Sequence, residues 1–260
     1  MPLLRVSVAA LASGCTLASH ELRHALCGPG FFVCENVGRR DEELAPMISA
    51  AYDASRRFHG VELQVRSAGP DFTSKWIKSK PSQGSQCRSW FTAASGRSWP
   101  PDEEHPGFAT SIQAFDAYLA GIAALLAVSA ARALALSSDR ADRLANAPSE
   151  SMLRALRYAP APDDAKPRKG IPAHVDFGDF TLCHSRLEGL EALDRETGEW
   201  QPLPPNEVCF MAASGLEKKT KTQEHQVRAV EHRAMMNTVE RLSFCRFHGV
   251  SPAQSGRSKA

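Results

Sequence analysis

His174, Asp176 and His232 are the residues whose types and spacing suit a metal ion. The first two lie two positions apart in Ala173-His174-Val175-Asp176-Phe177-Gly178-Asp179-Phe180-Thr181. On an extended strand side chains alternate with a period of two, so this spacing turns an imidazole and a carboxylate to the same face. His232 lies far enough along for several strands to intervene. A fold that returns it to the pair sets two imidazoles and one carboxylate on one side of an ion. Such a donor set suits iron(II) and leaves coordination positions open for dioxygen and a substrate. Arg241 and Ser243 alternate in the same way. A planar guanidinium with a hydroxyl beside it matches a carboxylate, so this second pair reads as an anion clamp facing the same pocket.

Taken in order, His174-Val175-Asp176, His232 and Arg241-Leu242-Ser243 resemble the H-x-D…H…R-x-S pattern of the 2-oxoglutarate/iron(II)-dependent dioxygenases, in the branch that includes isopenicillin N synthase. His225 is a rival for the third ligand. The nine-residue step from 232 to 241 and the Glu231-His232-Arg233 context favour His232. Flanking text is similar too: Leu156-Arg157-Tyr158-Ala159-Pro160, Gly189-Leu190-Glu191-Ala192-Leu193, Gly198-Glu199-Trp200, Gly30-Phe31-Phe32-Val33, and Trp99-Pro100 with Pro106-Gly107-Phe108. Two stretches depart from the pattern. Glu35-Asn36-Val37-Gly38 stands where the family carries N-H-G, and Glu217 to Gln226 is more charged than the family's run before its third ligand.

The resemblance implies a mixed α/β chain whose all-β core is a double-stranded β-helix, the cupin-like jelly roll, with helices packed outside. It implies His174, Asp176 and His232 as iron(II) ligands. Arg241 and Ser243 would hold the distal carboxylate of 2-oxoglutarate, and Tyr158 would contact the same cosubstrate. The implied activity is oxidation of a small molecule by dioxygen, as hydroxylation, desaturation or ring closure, with succinate and carbon dioxide as co-products. Two alternatives stand beside it. One is an isopenicillin N synthase-like oxidase whose clamp holds the substrate's own carboxylate. The other is a non-catalytic jelly roll that binds a small acid or a partner.

Composition is that of an ordinary folded chain, long enough for one domain or two small ones, and the resemblance favours one. Of 260 residues, 43% are hydrophobic and 23% charged, far from the disordered regime. A net charge of +2 with scattered basic residues, and only Lys218-Lys219-Thr220-Lys221 as a cluster, gives no footprint for nucleic acid. Seven cysteines without any C-x-x-C pair favour a reducing compartment, taken here as the cytoplasm, and no zinc ribbon. Cys183 and His184, close to the triad in sequence, read as packing, as do Phe177, Phe180 and Phe210.

The elements that must position these residues follow from periodicity. Leu4 to Ala10 reads as a first strand rather than a leader segment, Ser19 to Leu26 as a helix capped by Ser19 or Thr16, and Phe31 to Gly38 as a buried strand. Glu42 to Phe58 carries apolar residues at helical spacing. Ala109 to Leu136 reads as a long buried scaffold helix rather than a membrane span, because Asp116 and Arg132 interrupt an alanine-rich run. Ser137 to Ser151 reads as a surface connection. Beyond it come short strands at 153–158, 171–176, 181–185, 190–194, 207–211, 227–232 and 242–247. The chain thus divides into an N-terminal region over 1–150, a jelly-roll core over 151–250 and a short basic tail over 251–260.

Overall fold

The chain opens on β1 (Arg5–Ser7), shorter than its apolar run suggests, because Ser7 ends the strand by capping a helix. Its hydroxyl oxygen accepts from the Ala10 amide at 3.3 Å, and the alanine-rich α1 (Val8–Ala12) begins there. The computed structural model describes residues 2–37, 41–60, 87–94, 99, 102–146, 151–160 and 169–250. Within them follow α2 (Thr16–Cys27), β2 (Phe31–Glu35), α3 (Asp41–Gly60), β3 (Cys87–Ala94), α4 (Phe108–Ala133) and α5 (Ser138–Ala145). Cys15 holds the N-cap position of α2 without a side-chain bond, while Ser19 donates back to the Cys15 carbonyl, so neither expected cap operates. The tail and most of the Gly60 to Gly107 section lie outside the described residues.

From Met152 onward the strands are β4 (Met152–Tyr158), β5 (Lys169–His174), β6 (Phe180–Ser185), β7 (Leu190–Asp194), β8 (Glu199–Pro202), β9 (Val208–Ala212), β10 (His232–Met235) and β11 (Arg241–His248). They divide between two sheets. A seven-stranded sheet has the order β1-β2-β9-β6-β11-β4-β3, and a four-stranded sheet the order β5-β10-β7-β8. Successive strands cross from one sheet to the other, apart from the β7–β8 hairpin, and among the described residues every pairing but β1–β2 is antiparallel. This is the jelly-roll arrangement. The N-terminal region supplies both flanks of the larger sheet, with β1 and β2 beyond β9 and β3 beyond β4.

One strand, β11, divides inside from outside. Its even-numbered residues face the helices. Phe244 meets Tyr52 of α3 at 4.9 Å and Phe115 of α4 at 5.0 Å, and Arg246 forms an ion pair with Asp116 of α4. Asp116, the polar break in an otherwise apolar helix, is therefore the partner of a sheet arginine. α4 is long and apolar enough to cross a membrane by length and composition, and its buried residues, Ile112, Phe115, Leu119 and Leu126 among them, belong to the main core. The odd-numbered residues of β11 face the space between the sheets. Cys245 packs there on a small cluster of Leu156, Tyr158 and Ala234, the first two from β4 and the last from β10 across the gap. This space is the chamber in which the candidate residues meet.

Candidate metal centre

His174 closes β5 and His232 opens β10, and the two are direct partners in the antiparallel register. Their ring centroids lie 4.3 Å apart. Asp176 is off the strand, contrary to the expectation that β5 runs through it, because the chain turns at Gly178 into β6. Gly178 has φ 90°, and a Cβ there would stand 2.6 Å from the His248 carbonyl oxygen and from Val250 Cγ2. Only glycine meets both demands at once. The turn brings the carboxylate back between the imidazoles, with Asp176 Oδ1 3.5 Å from His174 Nε2 and Oδ2 3.5 Å from His232 Nε2. Thr181, the second residue of β6, donates its hydroxyl to Asp176 Oδ2 at 2.6 Å and fixes the carboxylate plane. Thus the expected pair faces one point by a turn rather than by strand alternation.

The hydrogen bonds define what the three groups offer. His174 Nδ1 bonds the Pro172 carbonyl at 2.9 Å and His232 Nδ1 the Val230 carbonyl at 3.2 Å. A carbonyl only accepts, so both Nδ1 atoms carry the proton and both neutral rings present bare Nε2 lone pairs. Three acceptors then face one another, with ligand atoms all within 4.8 Å. Lone pairs directed at lone pairs call for a cation among them, and two imidazoles with one carboxylate fit a divalent transition metal.

Without a cation the site takes a proton between His174 Nε2 and the Asp176 carboxylate instead. Burial acts to raise the Asp176 carboxyl, but the charges of His232 and His174 and the two hydrogen bonds outweigh it and hold it near about 2. Burial acts to lower His174, and the hydrogen bond and charge of Asp176 overcome it to give a net rise. His232, more deeply enclosed, is pushed down by burial despite Asp176.

At the other end of the chamber Arg241 is 1% exposed. Its guanidinium carbon lies 4.9 Å from the centroid of the Tyr158 ring, its direct partner across β4. Nε reaches only the Leu187 carbonyl at 3.5 Å, and the buried Nη1 has no hydrogen-bond partner among the described residues. An unpaired nitrogen on a buried guanidinium is costly, about 1–3 kcal/mol or more, unless an anion completes it. Ser243, 4% exposed, follows on the same face of β11. Tyr158 packs on Ala234, two residues from His232 along β10. The arginine clamp and the metal candidates thus line one chamber.

Residues 149–250 match the family described as the 2OG-Fe(II) oxygenase superfamily. The chain is 31% identical over 218 residues to a Monascus ruber protein named 2-oxoglutarate-dependent dioxygenase citB, covering 81% of this chain and 62% of that protein. Residues 149–250 belong to the 2OG-Fe(II) oxygenase superfamily. The match takes in less than two thirds of the length of that Monascus relative. Solved structures agree on the fold. A rice dioxygenase for auxin oxidation superposes with TM-score 0.70 at 19% identity, over 96% of this chain and 84% of that one. A full-length Neurospora crassa protein, solved with alpha-KG and 5-formyluracil, gives TM-score 0.72 at 14% identity, over 95% and 84%.

Other residues settle differently. His184 is a packing residue, as expected. The Tyr52 hydroxyl donates to the His184 carbonyl at 2.9 Å and lies 2.8 Å from its ring nitrogen, while burial, aided by the Arg186 charge, lowers the imidazole to about 4. Phe180 and Phe210 stack at 4.9 Å in the core, whereas Phe177, beside Asp176, is 51% exposed. A cavity of about 520 Å³ lies elsewhere, between α3 and the β2–β9 pair, lined in part by the Arg5–Glu35–Glu207 ion pairs. Thr181 escaped the sequence reading, although its position five residues after Asp176, at the head of a strand, was the available signal.

Proposed function

We propose that this chain is an iron(II)- and 2-oxoglutarate-dependent oxygenase of the isopenicillin N synthase-like branch, acting on a small organic molecule. Hydroxylation, desaturation and ring closure are the outcomes open to it, with succinate and carbon dioxide as co-products. The observation that carries this reading is the buried Arg241 Nη1, unpaired among the described residues, in the chamber that also holds three converging ligand atoms. His174, Asp176 and His232 would hold the iron, which when bound supplies dioxygen activation. Arg241 and Ser243 would take the distal carboxylate of 2-oxoglutarate through charge-assisted bonds, with Tyr158 backing the guanidinium. Thr181 keeps Asp176 oriented, and Leu156, Ala234 and Tyr158 keep the chamber dry. The order of motifs supports the branch, and six described cysteines with free thiols support a cytoplasmic setting.

Names of relatives support the cosubstrate. The Monascus protein is called 2-oxoglutarate-dependent, and the Neurospora structure contains alpha-KG. The test is anaerobic titration of metal-free protein with iron(II) and then 2-oxoglutarate, following the weak visible charge-transfer band of the chelate. The band appears, and it is lost in His174→Ala. Iron binding without the band assigns the clamp to the substrate's own carboxylate. A chain that binds no iron is a jelly-roll binding protein and not an oxygenase.

A further inference from the structure

Two thiols share the chamber with the candidate metal site. Cys183 of β6 and Cys245 of β11 are direct partners in the antiparallel register, and their sulfurs lie 3.2 Å apart. Cys245 follows Ser243 on the chamber face and packs on the cluster of Leu156, Tyr158 and Ala234. Cys183 follows Thr181, whose hydroxyl bonds Asp176 Oδ2, on the same face of β6. Cys209, opposite Cys183 on its other side, turns its sulfur to the Pro204 carbonyl at 4.0 Å. The pair poised to react is therefore 183 with 245. Directly opposed strand residues have Cα atoms about 4.5–5.5 Å apart, inside the span a disulfide needs.

Ordinary peroxide chemistry reaches Cys183 poorly, although Cys245 beside it is only part-buried. Cys183 is 3% exposed, and the hydrogen bond with Cys245 together with burial pushes its thiol well above the usual range. The thiolate is the form that attacks a diffusing oxidant, so an oxidant made inside the chamber has the advantage. The proposed oxygenase makes one whenever 2-oxoglutarate and dioxygen are consumed with no organic substrate bound, since two electrons are then lacking.

We propose that the Cys183–Cys245 dithiol supplies those two electrons and acts as an internal reductant of the oxygenase in unproductive turnover. The balance is 2-oxoglutarate, dioxygen and two thiols giving succinate, carbon dioxide, one disulfide and water. Two S–H bonds break and one S–S bond forms. One oxygen atom enters succinate, and the other leaves as water with the two thiol hydrogens. The protein is thereby its own reducing substrate for one turnover, and the disulfide, which an external thiol or phosphine reverses, records that turnover. This inference rests on the 2-oxoglutarate reading of the site.

The test takes the full chain, reduced and freed of reductant, loads it anaerobically with iron(II) and 2-oxoglutarate, and admits air without any organic substrate. After quenching, free thiols are alkylated, peptides are mapped by mass, and succinate is measured. One Cys183–Cys245 link forms per succinate in the first turnover. It is absent without 2-oxoglutarate and in Cys245→Ser, and a phosphine restores both alkylated thiols. Succinate formed while both thiols stay alkylatable overturns the proposal and leaves the oxygenase reading intact. So does a link that forms as fast in iron-free protein treated with hydrogen peroxide. Absence of succinate in iron-loaded protein that shows the 2-oxoglutarate charge-transfer band overturns the proposal alone, whereas absence of the band removes the 2-oxoglutarate reading and this proposal together.

Discussion

Replacing Arg241 by methionine separates the clamp's role from its packing. The arginine is 1% exposed, its Nη1 is unpaired among the described residues, its Nε bond is long at 3.5 Å, and its guanidinium lies over the Tyr158 face at 4.9 Å. Methionine keeps most of the side-chain length and a favourable contact with the ring. In the metal-free protein the change removes an unsatisfied buried donor, a gain of about 1–3 kcal/mol, and loses a cation–π contact of about 1–2 kcal/mol. Stability should then stay within about 1–2 kcal/mol of the parent, which urea unfolding measures. Toward 2-oxoglutarate the outcome is different. Two charge-assisted hydrogen bonds at about 1.5 kcal/mol each are lost, so affinity falls by about 10²-fold. Arg241→Lys keeps the charge and loses the fork, and should fall between the two. Anaerobic calorimetric titration with iron(II) present reads both variants. Unchanged 2-oxoglutarate affinity in Arg241→Met, combined with a drop in stability of several kcal/mol, would refute the reasoning and make the arginine a structural residue.

Further outcomes follow from other contacts. Asp116→Ala leaves Arg246 beside α4 without its carboxylate, and unfolding in urea should show a loss of about 2–4 kcal/mol, with Asp116→Leu/Arg246→Met recovering part of it. His184, neutral in the fold down to about 4 against 6.5 when unfolded, contributes stability that is complete above pH 6.5 and is lost as pH falls through 4. Its replacement by glutamine should flatten that part of a stability-versus-pH series. Gly178→Ala forces a Cβ against the His248 carbonyl at φ 90°, and iron(II) affinity measured by equilibrium dialysis should fall by at least about tenfold as Asp176 is displaced. Thr181→Val removes the bond to Asp176 Oδ2 without changing side-chain volume much, and the same assay should show a fall of about 10-fold or more.

Much of the site was legible because its residue types have few uses. The alternation of Arg241 and Ser243 was correct, since β11 is a regular strand through both. The spacing of His174 and Asp176 anticipated that the two side chains converge, but a glycine turn and not a strand directs the carboxylate. His232 was expected at the end of a strand over 227–232 and instead begins one. Val227 and Val230 are buried without a ladder, with their amides bonded to Thr220 Oγ1 and the Ala212 carbonyl, and periodicity cannot distinguish such a run from a strand. The charged run after Ser214 hides α6 (Ser214–Thr220), whose buried Leu216 and Thr220 are too few to show a stripe. Ser137 to Ser151, read as a plain connection, holds α5 with a single buried leucine for the same reason. The pairing of Cys183 with Cys245 was out of reach, as it depends on the register of two strands far apart in the chain.

The two-sidedness of β11 governs which changes a lineage could accept there. Leu242, Phe244 and Arg246 serve the helices, while Arg241, Ser243 and Cys245 serve the chamber. Substitutions on either side alter one property at a time. Inserting or deleting a single residue between 241 and 248 exchanges the sides, swinging a phenylalanine into the chamber and a guanidinium into the helix layer. Point changes in this strand can therefore accumulate, while its length is held fixed.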